Sequence, residues 1–460
     1  MRTIRDPDCF LRQGLEEIRT QFKLPSAMPA AARNEAAAAA RRDIGDHVDR
    51  TAMAFVTLDP SSSTDLDQAF AIEPAGGDML LHYAIADVGW FVPDGGAMDA
   101  EAWQRGTSQY LPDGKVPLYP PVLSEGAASL LPDGDRPAVI LTVRVDPSGK
   151  ALLDQVERGR IRSRAKHGYE TVREEELPGG FAELTGRIEA AERARGAARV
   201  EPPEQEVIAE NGCFRLQLRP KSKAERRNAA LSLAANLAVA QALHSAGTGL
   251  FRTMDEPREW AIRRLRNSAK ALGISWPKKE SLQELERRLD PDLPGDAAMM
   301  LAIRRAGHGA SYEPYREGEV PWHAAVAATY AHVTAPLRRL ADRYVLEAAL
   351  AVANGRAVPE PVTDAFQHLP PVMEKADGLA GQIARAVIDL AEATSRLGRE
   401  GDLFSAVVTD IDERGARIQL CSPAVIARVN TNGLAPGDDI RVRLESADPV
   451  KRSVSFSLAG

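Results

Sequence analysis

The sequence predicts an α/β protein: a mixed sheet with helices, preceded by a small helical N-terminal module and followed by a five-stranded β-barrel. Three observations carry this. Short apolar runs broken by Asp, Pro and Gly begin at residue 53, helix-patterned stretches dominate from 181, and strand patterning returns after Gly401. With 460 residues, 44 % of them apolar and 27 % charged, the chain is long enough for two or three domains and too apolar for long-range disorder.

The elements follow in order. Residues 1–48 are rich in Ala, Arg and Glu, and AAARNEAAAAARRDIGD is a strong helix former; a helix-turn-helix is one arrangement such a module takes. AFVTLDP, QAFAIEP and LLHYAIADVGWFV then read as strands, GGAMDAEAWQRGTSQY as a helix running into a loop, and AVILTVRVDPSGKALLDQVERGRI as a hairpin around Pro147-Ser148-Gly149. Residues 181–245 read as mainly helical, closing in a helical stripe with a glycine stop, and helices are expected through 255–310 and 336–354. Pro370-Pro371 should lead into a long amphipathic helix acting as a spacer. LFSAVVTDID, ARIQL, VIARVN, DDIRVRLESAD and SVSFSL are five short strands, the pattern of a small closed barrel of the OB type. The expected units are 1–48, 49–397 and 398–460.

A net charge of −7 argues against a surface built for indiscriminate duplex DNA binding, although a channel inside an acidic exterior can still be basic. One stretch, RLQLRPKSKAERR, sets Arg215, Arg219, Lys221, Lys223, Arg226 and Arg227 against the single acid Glu225. Cys9, Cys213 and Cys421 are too far apart for a zinc knuckle or a disulfide framework, so no disulfide partner is expected and a reducing cytoplasm fits. The first residues are too charged for a signal peptide, and no apolar run reaches membrane-spanning length. A soluble, cytoplasmic protein with no membrane partner is the expectation.

Chemistry concentrates in DPSSSTDLDQAF, residues 59–70, where Asp59, Asp65 and Asp67 crowd together. Like charges at that density repel unless a cation lies between them. The spacing is not that of an EF-hand, and Cys and clustered His are missing for zinc. Hard oxygen donors with open positions suit magnesium beside a substrate phosphate, and two such ions about 4 Å apart serve phosphodiester hydrolysis. An Asp-rich turn, with Thr64 or Asp65 capping a following helix, accounts for the same residues. Spacing alone leaves both readings open.

DPSSSTDLDQAFAI resembles the signature of the ribonuclease II (RNB-domain) exoribonucleases, in which one Asp is followed by three more at fixed spacing, the last two adjacent. LHYAIADVGWFV and RGTSQYLPDGKVPLYPPVLSEGAASLLPDGDRPAVILTV resemble the family's next blocks. YAHVTAPLRRLADR, 330–343, resembles the block around a Ser-Pro-Ile-Arg-Arg-Tyr core, and the last sixty residues are similar to the family's S1 domain. The likeness spans roughly 50–460. It implies an RNB catalytic fold and a hydrolytic 3′→5′ exoribonuclease that holds magnesium (manganese substituting) through Asp59, Asp65, Asp67 and Gln68. Asp67, Asp65 and Arg338 would serve cleavage, Arg338 at the scissile phosphate. Tyr110, Tyr169 and Arg339 would line the RNA path. Single-stranded RNA would enter by its 3′ end, structured RNA with it if the helical N-terminus leaves the entrance open, and a monomer suffices.

The chain departs from the family pattern at several places. Gln68 replaces the fourth Asp, Ala335 a Ser, Leu340 a Tyr, Ala229 and Ala230 a Glu pair, and Leu346-Glu347 a His-Arg. Two cold-shock domains that precede the catalytic domain in relatives have no counterpart in the sequence. An RNB fold that binds RNA without cutting it is the rival class, with Gln68 as its best support; a small-molecule phosphatase would leave the S1-like tail unexplained. Among the histidines, His82 reads as packed within its strand, while His308, His323 and His332 are channel candidates.

Overall fold

Two β-rich bodies and the helices between them make up the computed structural model, which describes residues 2–4, 10–197, 204–210, 213–219, 221–291, 293–307, 309–412, 415–420, 426–430 and 433–459. A short strand β1 (Arg2–Ile4) precedes α1 (Phe10–Gln21) and α2 (Ala30–Ala39). Then come β2 (Val48–Asp49), β3 (Val56–Asp59), β4 (Gln68–Ala75) and β5 (Asp78–Ala86). The helices α3 (Val88–Phe91) and α4 (Ala97–Arg105) and the hairpin β6 (Gln109–Leu111) and β7 (Gly114–Val116) separate these from β8 (Arg136–Val145), β9 (Ala151–Ile161) and β10 (Ala165–Gly168). Seven of the strands form one sheet in the order β10-β3-β4-β5-β8-β9-β2. Its end pairs β10/β3 and β9/β2 are parallel and the rest antiparallel, so the sheet is mixed, as expected.

Next in the chain are α5 (Phe181–Ala194), β11 (Glu204–Glu210), β12 (Cys213–Arg219) and α6 (Lys223–Ser245). The strand β13 (Leu250–Thr253) pairs with β14 (Ser311–Pro314), and α7 (Glu259–Ala271), α8 (Leu282–Arg288) and α9 (Pro294–Ala306) lie between them with a small core of their own. After β15 (Trp322–His323) and β16 (Ala328–Thr329) come α10 (Leu340–Ala353) and the long α11 (Glu360–Thr394). Last are β17 (Leu403–Asp412), β18 (Gly415–Leu420), β19 (Ile426–Val429), β20 (Asp439–Asp448) and β21 (Ser453–Leu458). They form a five-stranded antiparallel sheet in the order β19-β18-β17-β20-β21, whose outer strands come together to nearly close a barrel. The alternation of AFVTLDP and its neighbours thus does predict a sheet with one face on a helical layer: Phe55, Leu58, Phe70, Leu81 and Tyr83 are buried with Leu231, Ala234 and Ala238 of α6.

Three expectations are corrected. Residues 181–245 are not helical throughout, because β11 and β12 form a hairpin joined by β1. The alternation CFRLQLR carries strand periodicity that the many charges mask. Arg215 and Arg219 of the basic stretch fall in β12, and their side chains lie outside the described residues. Second, α11 begins at Glu360 and runs through Pro370-Pro371 instead of starting after them. Proline costs a helix about 3 kcal/mol, and burial of Leu369 and Met373 on either side offsets it. Third, no helix follows the Asp-rich turn; Gln68 opens β4, so Thr64 and Asp65 cap nothing.

The N-terminal helices are anchored to different parts of the body. Leu11, Leu15 and Ile18 of α1 are buried against Ile383, Val387 and Leu390 of α11, whereas α2 packs on α4 through Ala32, Ala36 and Ala39. Among the described residues no helix is long and apolar enough to cross a membrane.

Candidate active site

The acidic loop leaves β3 at Asp59 and returns into β4 at Gln68. Leu66 is fully buried between Asp65 and Asp67 and anchors the loop from within. Backbone bonds fix it further: Ser129 Oγ donates to Thr64 O and accepts from Leu66 N, Leu130 N donates to Leu66 O, and Ala86 N donates to Asp67 O. Lys166 of β10 closes the other side by donating to Ser61 O and Ser63 O at 2.9 and 2.5 Å.

Asp67 is buried and takes two partners from a segment some 270 residues away. Leu337 N donates to its Oδ1 at 2.7 Å, and Arg338 Nε lies 3.3 Å from its Oδ2. The Arg338 side chain is 49 % exposed, so the rest of its guanidinium is open to solvent. Burial pushes the Asp67 carboxyl up to about 7 against the pull of Arg338 and of the Leu337 bond. The segment 334–340 is itself held tightly. Ala335 N donates to Asp342, Ser108 N to Arg338 O, and Leu340 N to Gly106 O. Arg339, expected in the same basic wall, is taken up by a two-pronged pair with Asp342 at 2.9 and 2.7 Å and so braces the loop.

Asp65 is held by the hairpin β6–β7, where Tyr110 and Lys115 are cross-strand partners. The Tyr110 hydroxyl donates to Oδ2 at 2.9 Å, and Lys115 Nζ lies 2.9 Å from Oδ1 and 3.3 Å from Glu125. The Tyr110 ring is 53 % exposed, so it does not pack beneath its loop. Tyr169 stands beside Asp59: its backbone N–H donates to Asp59 O at 3.1 Å, and its hydroxyl accepts from Asn228 Nδ2 at 2.9 Å.

Asp59 differs from the other two acids. Among the described residues its carboxylate takes no hydrogen bond or ion pair. Burial raises it to about 7, Arg338 and Lys166 pulling it down and Asp65 pushing it up. No three His, Cys, Asp or Glu side chains among the described residues converge as a ready metal cage. Magnesium does not require one, since it commonly binds through one or two carboxylates plus substrate phosphate and water. The unpartnered Asp59, with Asp65 and Asp67 beside it, fits that donor chemistry.

Gln68 does not fit. Its Nε2 donates to Thr334 O at 2.7 Å, and its Oε1 accepts from the Tyr83 hydroxyl and from Ser232 Oγ, the latter at 3.1 Å. The amide oxygen thus faces two hydroxyls that share it, and the amide nitrogen is spent on the backbone. Gln68, expected among the metal ligands, is turned instead to Tyr83, Ser232 and Thr334 O.

Sequence reasoning overlooked Lys115, Lys166, Tyr83 and Ser232. The Pro112-Asp113-Gly114 turn between Tyr110 and Lys115 was the available signal, since it sets them opposite each other in a hairpin. Of the histidines, His82 bonds Thr142 and Glu73, and His332 accepts from or donates to Tyr312 at 2.9 Å. His323 is buried, which lowers it to about 4, and packs edge-on to Tyr330; His308 lies outside the described residues. Glu347, at the departure from His-Arg, pairs with Arg158, which also holds the buried Asp87 at 2.8 Å.

Comparison with known proteins accounts for this arrangement. The RNB domain matches residues 47–353, and the RNase II-type exonuclease C-terminal S1 domain matches residues 402–459. Ribonuclease R of Thermotoga maritima is 27 % identical over 91 % of this chain, which spans 65 % of that protein's length. In three dimensions the chain is similar to Mycoplasma genitalium RNase R in complex with ribose-methylated single-stranded RNA (TM-score 0.87, 18 % identity, covering 98 % of this chain and 78 % of that one). The same enzyme with double-stranded RNA gives 0.83 at 19 % identity, over 98 % and 83 %. Yeast Ssd1, described as a pseudonuclease, gives 0.66 at 16 % identity, over 98 % and 58 %. With its catalytic-type region and its S1 barrel both matched in order, the chain belongs to the RNB-domain family of RNase II-type proteins.

Proposed function

We propose that the chain is a hydrolytic 3′→5′ exoribonuclease that acts as a monomer on single-stranded RNA and releases nucleoside 5′-monophosphates. The observation that carries this is the bracketing of Asp67 by Leu337 N and a half-exposed Arg338, beside the exposed ring of Tyr110 on Asp65. The 3′-terminal base would stack on Tyr110, which brings the last phosphodiester over Asp67 and Arg338. Arg338 offers N–H donors where negative charge grows on the phosphoryl oxygens. Asp67, buried and fixed by Leu337 N and Arg338, would help orient the attacking water at the phosphate. Magnesium, held by Asp59 with Asp65 and Asp67, would add charge neutralisation at the phosphate. The barrel would feed single-stranded RNA to the cleft.

The test is a 5′-labelled unpaired RNA incubated with magnesium, with EDTA and with Asp67→Asn. Stepwise shortening from the 3′ end, lost in both controls, is expected. Tight binding without shortening favours the second reading, an RNA-binding RNB protein that no longer cuts. That reading has one observation behind it: the neutral Gln68, its oxygen committed to hydroxyls, where a fourth acid was expected. Degradation of structured RNA is read from a 3′-tailed hairpin, and stalling at the duplex edge would rule it out.

A further inference from the structure

The side chain of Gln68 joins four separate parts of the fold. It projects from the first position of β4, opposite Ile85 of β5, and meets Tyr83 of β5 and Ser232 of α6 with its oxygen. Tyr83 Oη and Ser232 Oγ also lie 2.7 Å apart, so Ser232 shares its one hydrogen between Tyr83 and the amide oxygen. The amide nitrogen points the other way, to Thr334 O at 2.7 Å. This orientation is dictated by chemistry: Thr334 O can only accept, so it takes the amide N–H, and turning the amide over would set two acceptors against each other. Thr334 is the residue at which the segment bearing Arg338 begins, and the next backbone groups along it are held by Asp342, Asp67 and Ser108.

We propose that Gln68 is a positioning residue for the reaction, fastening the Arg338 loop through Thr334 while Tyr83 and Ser232 hold its amide in register, and that it is not a metal ligand. A carboxylate could not do this, because it has no N–H for Thr334 O and would repel it. The glutamine is thus the residue this loop requires, and the fourth acid is replaced by a mechanical function. Metal binding then falls to Asp59, with Asp65 and Asp67 beside it. The inference rests on the exoribonuclease reading of the cleft.

Two measurements test it with Gln68→Met, which keeps the side-chain volume and removes both hydrogen-bonding groups. In the first, manganese titrated into the RNA-free protein is followed by its EPR signal. Affinity within about twofold of the native chain is expected for Gln68→Met, against a loss of more than about tenfold for Asp59→Asn. A tenfold loss in Gln68→Met makes Gln68 a ligand and overturns the proposal. In the second, binding of a short 2′-O-methyl RNA is measured in EDTA, so neither metal nor cleavage enters. Gln68→Met should weaken binding roughly fivefold, within the coupling range of neighbouring residues. It should weaken binding no further in an Arg338→Ala background. Equal, multiplicative losses in both backgrounds mean a general loosening of the fold and also overturn the proposal. Should Gln68→Met fail to fold, Tyr83→Phe replaces it in the same two measurements with the same expected pattern. A native chain that binds this RNA but never shortens a cleavable one counts against the exoribonuclease reading and leaves these two results decisive.

Discussion

Tyr110 and Lys115 face each other across the β6–β7 hairpin, and each takes one oxygen of the same carboxylate, Asp65, at 2.9 Å. The hairpin is thereby tied to the acidic loop, and the tie leaves Tyr110 half-exposed beside Asp65. Separating the ring from its hydroxyl separates two functions. Tyr110→Ala should weaken binding of a short single-stranded RNA by about 1–3 kcal/mol, the worth of one base stacked on an aromatic side chain. Tyr110→Phe keeps the ring and should keep most of that affinity. Equal losses in a filter-binding comparison of the two variants would show that the hydroxyl, not the ring, matters.

Arg338 is expected to act on the transition state more than on bound RNA. Arg338→Ala should lower kcat by roughly 10²–10³, the usual effect of removing one donor at developing charge. Arg338→Lys should recover only part of it, because a point charge does not reproduce the planar fork. Single-turnover rates at saturating RNA check this; a change confined to KM would place Arg338 in binding alone.

Asp59 carries a stability cost that depends on pH. Burial raises its folded carboxyl to about 7 from the ordinary 3.8. The folded state therefore holds a proton that the unfolded chain releases between about pH 4 and 7, and stability falls as pH rises through that window. In metal-free buffer, Asp59→Asn should melt higher than the native chain at pH 8, by about 2 °C or more, and the gap should close towards pH 4. The same variant should lose RNA cleavage. Identical melting curves at pH 8 would show that Asp59 is not strained in the metal-free fold.

Asp87 has the opposite character. Burial alone would raise it, but hydrogen bonds and charge from His47 and Arg158 hold it below the ordinary carboxylate range. His47 Nε2 is 3.0 Å away and Arg158 Nε 2.8 Å, and Trp90 N donates to the same carboxylate. Asp87→Ala leaves these donors buried without an acceptor and should cost roughly 3–5 kcal/mol, measured by urea unfolding. A loss under about 1 kcal/mol would mean that water replaces the carboxylate.

The main sheet and the barrel were legible because their strands alternate with period two and are separated by Asp, Pro and Gly. The hairpin β11–β12 was not, since its strands are dense in charge and its neighbours are helical. Asp59, Asp65 and Asp67 declare themselves by crowding, but local spacing says nothing of a partner at 337 and 338, which only the family likeness supplied. Arg338 and Arg339 look interchangeable in sequence; a turn of backbone sends one to Asp67 and the other to Asp342, three residues on. Tyr83 and Ser232 were hidden for another reason. Tyr83 is a single hydroxyl on an apolar strand face, Ser232 sits between Asn228 and Asn236 on one face of α6, and their shared role exists only once β5 and α6 pack together.

The burial of α1 against α11 sets an order on the protein's birth. Leu11, Leu15 and Ile18 emerge early from a ribosome, while Ile383, Val387 and Leu390, the surface they cover, emerge near the end. At roughly 5–20 residues per second, that apolar face waits tens of seconds for its counterpart. The main sheet, whose strands end at Gly168, has all its members long before then. The newborn chain therefore carries an uncovered greasy helix beside a finished sheet, and it is over this interval that a chaperone has something to hold.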